Sequence, residues 1–374
     1  MKIVLLGQPF LDTSSPFMLG EKKIGAINGL LIITEKERRE LTEICKKIWK
    51  TLIYICPDFT GLIRYDLVPS FSSIPKKIEW EGKKGYDLGD VEIQGIYEIN
   101  DRSPECHTAV SVLHNAKPIL KKLQPIATER FVKAVKETYG NEEIIIVKGN
   151  GFVKTQWGEI FFRELSESGL KFSVVTETKF IKEGLIEKEK VIYLYGDYRN
   201  TRGPSEFSYE FMEHIKNYPR NLVFNTIPSN GFISDKSLLS NIELAGKVIV
   251  LDTEEKVSFG LREKDKWVLK RFLGSSGADV YIGRLMTHKD WENNLRKALL
   301  RGGYGLFEAK WLPKIKLPFD SYALDINVAF WARGRDLKYL YTISRIDKWK
   351  TYWNRGVINV TQGAGFAGTL IEEE

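Results

Sequence analysis

GIYEINDRSP, residues 95–104, is a short apolar stretch that ends in charge. Read as a strand, it sends alternate side chains to opposite faces. Glu98, Asn100 and Arg102 then line one face, and Tyr97 and Ile99 the other. A carboxylate, an amide oxygen and a guanidinium in one row suit a divalent cation carrying phosphate. Magnesium takes oxygen ligands and is usually held by one or two carboxylates plus substrate phosphates. Arginine offers fixed donors to phosphate oxygens. The alternative is a solvated strand end closed by Pro104.

Around this stretch lies a chain of 374 residues, long enough for a large core and two or three domains. Its hydrophobic share of 43% is that of a folded globular protein. The longest apolar runs are too short to cross a bilayer, which predicts no membrane span. The opening Met1–Leu6 is broken by Gly7 and Gln8, so it reads as a buried strand rather than a leader, and the expected location is the cytoplasm. Cys45, Cys56 and Cys106 form no paired framework, and His107, His114, His214 and His288 show no zinc spacing. The net charge of +7 is spread along the whole chain, with Lys and Glu interleaved. A basic nucleic-acid-binding protein is one reading of that charge, although such proteins usually gather it on one stripe. An enzyme handling ATP is another.

Thr34 as N-cap with Glu37 three residues on predicts a helix over 34–55, with Leu41, Ile44, Cys45, Ile48 and Leu52 on its core face. GLIRYDLVPS, residues 61–70, reads as a strand with Arg64 and Asp66 on one face. Paired with 95–104, it would set Asp66 beside Glu98 and Asn100. Residues 70–89 read as a polar loop, and 105–139 as helical. Then the pattern changes. EEIIIVKGNG, QWGEIFFRELSESGL, KFSVVTETKF and KVIYLYGD read as strand, helix, strand and strand, a small doubly wound βαβ unit. Arg199 and Arg202 follow its third strand, where ligands of such sheets bind, and are candidates for substrate carboxylate. Lys236 falls in the first turn of a helix begun at Ser234 or Asp235. A cation is disfavoured there, so a ligand anion is expected beside it. KWVLKRFLGSSGADVYIGR, residues 266–284, places Lys270 on a strand before the small loop Gly274, Ser275, Ser276 and Gly277. Such backbone amides can close over phosphate oxygens. The stretch is not a Walker loop. A strand carrying Glu308 and Lys310 comes next, then antiparallel strands containing Arg345.

These pieces come in an order that resembles the circularly permuted ATP-grasp ligases, and most closely the synthetase domain of glutathionylspermidine synthase and its uncharacterised relatives. The matching residues are Gly61-Leu62-Ile63-Arg64-Tyr65-Asp66; Tyr97-Glu98-Ile99-Asn100 with Pro104; Asp235-Lys236 with Leu238-Leu239; Trp267-Val268-Leu269-Lys270 with the 274–277 loop and Val280-Tyr281-Ile282-Gly283; and Leu306-Phe307-Glu308. An unpermuted ATP-grasp enzyme carries its Glu-x-Asn strand near the end, whereas here that strand precedes both lysines. The resemblance implies an α+β / α/β architecture: a permuted ATP-grasp fold with an inserted, Rossmann-like pre-ATP-grasp βαβ domain. Residues 1–139 would be the C-terminal part of the core moved to the front, 140–233 the pre-ATP-grasp domain, and 234–374 the ATP-binding lobe with the rest of the core. It further implies that Asp66, Glu98 and Asn100 bind Mg2+. Lys236, Lys270, Gly274, Ser275, Ser276, Gly277 and Glu308 would bind ATP, with Glu308 on the adenine amino group. Arg64 and Arg345 are the catalytic candidates, Arg64 against the reacting phosphate. Family members activate a carboxylate as an acyl phosphate and let an amine attack it. The implied partners are therefore a small carboxylate, peptide- or amino-acid-like, and an amine. A relative that binds nucleotide without ligating is the alternative. The chain departs from the family pattern at Arg102, at Arg271 and in the length between Asp66 and Glu98.

Overall fold

Thr34 caps the first helix as its sequence requires. Its hydroxyl accepts from the Glu37 amide at 3.1 Å, and the Glu37 carboxylate accepts from the Thr34 amide at 2.8 Å, a closed capping box. The computed structural model describes residues 1–6, 11–12, 18–19, 22–23, 25–57, 59–100, 127–149, 156–185, 190–195, 207–215, 218–219, 222–224, 235–273, 279–358 and 364–372. Up to residue 100 the elements are β1 (Lys2–Leu5), β2 (Leu11–Asp12), β3 (Met18–Leu19), β4 (Lys22–Lys23), β5 (Gly25–Ile27), β6 (Gly29–Thr34), α1 (Glu35–Ile53), β7 (Thr60–Phe71), β8 (Lys76–Trp80), β9 (Lys83–Asp87) and β10 (Val91–Asn100). The β8–β9 hairpin replaces the polar loop expected over 70–89. Its turn has Glu81 and Gly82 at positive φ, and Glu81 gave no glycine signal to read.

From residue 127 come α2 (Ala127–Tyr139), β11 (Ile144–Lys148), α3 (Gln156–Glu167), β12 (Phe172–Thr176), α4 (Glu177–Lys182), β13 (Val191–Tyr195), α5 (Tyr209–Ile215) and β14 (Val223–Phe224). The four strands run parallel in the order β12-β11-β13-β14. Ile144 to Val147 and Val191 to Tyr195 are buried throughout, as continuous apolar runs in a covered parallel sheet must be. The strand expected to run on to Phe180 stops at Thr176. The Thr176 hydroxyl accepts from the Lys179 amide and starts α4 instead.

The rest holds β15 (Val248–Val250), α6 (Glu254–Arg262), β16 (Trp267–Arg271), β17 (Val280–Ile282), α7 (His288–Arg301), β18 (Tyr304–Glu308), β19 (Lys314–Leu317), β20 (Asp320–Leu324), β21 (Ile326–Arg333), β22 (Asp336–Lys348), α8 (Trp349–Arg355) and β23 (Gly365–Glu372). The order β15-β18-β16-β17 makes a four-stranded antiparallel sheet, covered by α6 and α7 through Val257, Trp291 and Leu295.

The largest sheet runs β10-β7-β21-β22-β23-β6-β1-β9-β8. It takes strands from both ends of the chain, and β23 pairs in parallel with β6. One face carries Ile63, Tyr65, Leu67, Ile96, Ile99, Val328 and Phe330, and α1 packs on this core with Leu41, Cys45, Ile48, Trp49 and Leu52. Each such buried side chain contributes about 1.5–3 kcal/mol. The other face carries Leu62, Ala329, Trp331, Tyr341 and Ile343, covered by Phe131 and Phe161 of the parallel unit. Farther along that second face, apolar residues give way to Arg64, Asp66, Asn327 and Arg345. The chain is thus a mixed α+β protein with a large mixed sheet. None of its described helices is long and apolar enough to cross a membrane.

Candidate functional site

β7 is central, flanked by β10 and β21, both antiparallel to it. Glu98 of β10 lies opposite Asp66, and Asp66 lies opposite Asn327 of β21. Cross-strand partners share a face. Glu98, Asp66 and Asn327 therefore form one row across three adjacent strands, roughly 4.8 Å apart. Asn100 pairs with Arg64 through its backbone, and its side chain lies outside the described residues.

Asp66 is fully buried and held by two arginines. Arg64 grips it with both prongs, Nε to Oδ1 at 2.6 Å and Nη2 to Oδ2 at 3.0 Å. Arg345 adds Nη2 to Oδ2 at 3.0 Å. Arg345 is itself fixed by Asp325, which accepts from its Nε at 2.8 Å, its Nη2 at 2.5 Å and its backbone amide at 2.8 Å. Tyr97 donates its hydroxyl to Asp325 and also meets Arg345. Strict alternation would send Tyr97 to the opposite face. It does not, because a β-bulge falls there: Ile96 pairs with Leu67 and Glu98 with Asp66, so two steps on β10 match one on β7. The extra residue puts Tyr97 and Glu98 over the same polar cluster.

Two lysines arrive from the part of the chain that carries the four-stranded sheet. Asp235 caps a 3-10 helix, Lys236–Asn241, and Lys236 points its Nζ at Glu98 Oε1, 3.3 Å away. The anion beside Lys236 is thus a carboxylate of the protein itself, where a ligand anion was expected. Lys270 Nζ lies 3.4 Å from the Tyr97 carbonyl, which accepts from it, and 5.2 Å above the Phe307 ring. Arg64, Arg345, Lys236 and Lys270 set four cations against the three carboxylates Asp66, Glu98 and Asp325, a balance that favours an added anion.

The electrostatics follow from burial and these neighbours. Burial alone would raise the Glu98 carboxyl, but Lys236, then Arg64, Arg345 and Lys270, outweigh it and hold it at about 2. Burial lifts Asp66, against the pull of Arg64 and Arg345. Burial lowers the Lys270 ammonium to about 8, although Glu98 works against it. Glu98 is thus the firmly anionic member, and Lys270 the cation whose charge is most easily lost.

Asn327 is fully buried, and neither its Oδ1 nor its Nδ2 has a hydrogen-bond partner among the described residues. Leaving a buried amide unpaired costs about 1–3 kcal/mol, a cost that a ligand bonded to Asn327 would offset. Among the described residues, no three His, Cys, Asp or Glu side chains converge as a metal cage. Magnesium does not need one, since it keeps several waters and takes the rest of its shell from phosphate. A row of two carboxylates and an unpaired amide fits such a cation.

Glu308 ends β18 beside Gly246, and its carboxylate accepts from the Lys247 amide at 2.9 Å, with Lys310 Nζ 3.8 Å away. Lys270 pairs with Gly305 of the same strand, three residues from Glu308 and so roughly 10 Å along it. Gly246 sits at φ +71, and a Cβ there would meet Glu308 Oε2 at 2.3 Å, so the close approach requires glycine.

No protein-family model matches the chain, and no curated protein matches it. Of the residues singled out from sequence, Arg64, Asp66, Glu98, Lys236, Lys270 and Arg345 come together. Glu308 stands apart from them on β18. Gly274, Ser275, Ser276, Gly277, Arg199, Arg202 and Arg102 lie outside the described residues. Tyr97, Asp325 and Asn327 were missed. Asp325 and Asn327 did carry a signal, as two polar residues spaced by two in the otherwise apolar run Tyr322–Ala332. A bulge such as that at Tyr97 leaves no mark in an apolar alternation.

Proposed function

We propose that the protein is an ATP- and Mg2+-dependent carboxylate–amine ligase, and that residues 1–139 and 234–374 build its permuted ATP-grasp core around a pre-ATP-grasp domain at 140–233. The observation that carries this reading is the meeting of Asp66, Glu98, Arg64 and Arg345 on one sheet face with Lys236 and Lys270, residues drawn from five stretches of the chain. Phosphoryl transfer needs little covalent help from a protein. It needs positioning and charge stabilisation, which fixed cations supply.

In this reading Lys236 and Lys270 hold the nucleotide phosphates. Asp66 and Glu98, with Asn100, hold the cation, which when bound neutralises phosphate charge. Arg64 and Arg345, locked in place by Asp66 and Asp325, donate to the oxygens of the transferring phosphoryl group. The substrate carboxylate displaces ADP and becomes an acyl phosphate. The amine then attacks the carbonyl carbon, the C–O bond to phosphate breaks, and the amine loses a proton as inorganic phosphate leaves. The substrate class is a peptide- or amino-acid-like acid, by the resemblance. Isothermal titration with Mg–ATP tests the site. The expected result is binding that weakens at least tenfold in Lys270→Ala (about 1.4 kcal/mol). Equal binding by the variant would remove the site from the argument.

One observation favours a second reading, a nucleotide-binding relative without turnover. Both Asp66 oxygens are taken by guanidinium groups, and a cation has to compete for them. Such a protein would bind Mg–ATP with the same Lys270 dependence and release no ADP with any acid and amine.

A further inference from the structure

Asn327 has no place in the ATP-grasp resemblance, yet it is fully buried in the row with Asp66 and Glu98. It stands directly across from Asp66 on β21, as Glu98 does on β10. Its side chain is fully enclosed, and both polar atoms lack partners among the described residues. Its neighbour across the other strand pair, Ile343, is apolar and has no polar side-chain atom to offer. Asp66 makes no bond to it in this state and accepts from Arg64 and Arg345 instead. A purely structural position between Asp66 and Ile343 would be filled better by an apolar residue of the same shape. An amide there is suited to a bound water, which offers a donor and an acceptor together.

We propose that Asn327 is a positioning residue of the cation site, bonding a water of the hydrated divalent cation held by Asp66 and Glu98. The inference rests on the proposed nucleotide-dependent reading of that site. Outer-shell partners of this kind typically alter metal affinity about 10–100-fold when removed.

The experiment pairs calorimetry with urea unfolding on wild type, Asn327→Leu and Asn327→Asp. Nucleotide affinity is measured with Mg2+ and with the cation chelated. For Asn327→Leu the expected result is an unchanged or higher unfolding midpoint without ligand, a Mg2+-dependent gain in nucleotide affinity reduced at least tenfold, and unchanged cation-free affinity. For Asn327→Asp, a third carboxylate in the row should lower the unfolding midpoint, and Mg2+ alone should restore it. This second variant carries the test if the leucine variant does not fold. A leucine variant with the wild-type Mg2+ gain, or an aspartate variant that Mg2+ fails to rescue, overturns the role of Asn327 and leaves the nucleotide site standing. A wild type with no Mg2+-dependent nucleotide binding overturns both together.

Discussion

Glu98 shows how single residues set the chemistry. Its carboxyl, held at about 2 by Lys236 and the neighbouring guanidinium groups despite burial, is ionised under all ordinary conditions. The sign of the linkage follows from the lowered value. The stabilisation is fully present above the unfolded pKa near 4.5 and is lost as pH falls through the folded value near 2. Glu98→Gln should therefore lose on the order of 2–3 kcal/mol near neutral pH. It should also show a flatter stability profile through that acid window. Urea unfolding at a series of pH values checks this, and parallel profiles for the two proteins would contradict it. Arg64, Asp66 and Glu98 were legible in sequence because strand alternation sets the polar residues of two short apolar stretches on one face. Tyr97 was not legible, since its position depends on one inserted residue in β10.

Among elements, α1 is the one whose limits sequence fixes best. Its capping box, acidic first turn and core face all agree, from Glu35 to Ile53. Thr34→Ala should cost about 1 kcal/mol by removing the acceptor for the Glu37 amide. A shift in the urea midpoint with unchanged slope measures it, and no shift would show that the cap contributes nothing. The strand to helix change at Thr176 escaped the apolar pattern, because Phe180 is buried whether 177–182 is strand or helix. The β8–β9 hairpin escaped for a different reason. β8 is largely exposed and polar, and β9 buries only Gly85 and Tyr86, so the pair carries too short an apolar pattern to read as two strands.

At the scale of the molecule, the site depends on how the four-stranded sheet meets the large one, and no local pattern encodes that. One contact between them is well defined. The Arg284 guanidinium, just past β17, lies against two tryptophan rings, 4.2 Å from the centre of Trp311 and 3.8 Å from that of Trp353 in α8. Its Nη2 also donates to the Trp353 carbonyl at 2.8 Å. Stacking of this kind contributes roughly 0.5–2 kcal/mol. Arg284→Ala should speed amide exchange in β16 and β17 and weaken nucleotide binding several-fold, although it touches neither lysine. Unchanged exchange in both strands would show that the clasp does not hold the two sheets together.

The most direct test of ligase activity is a mass-spectrometric screen with Mg–ATP, pairing amino acids and short peptides as acids with amines including polyamines. At least one pair should give ADP, inorganic phosphate and an amide product in equal amounts, with all three lost in Lys270→Ala. ADP formed equally without acid or by Lys270→Ala, or Mg–ATP binding with no amide from any pair, would contradict it.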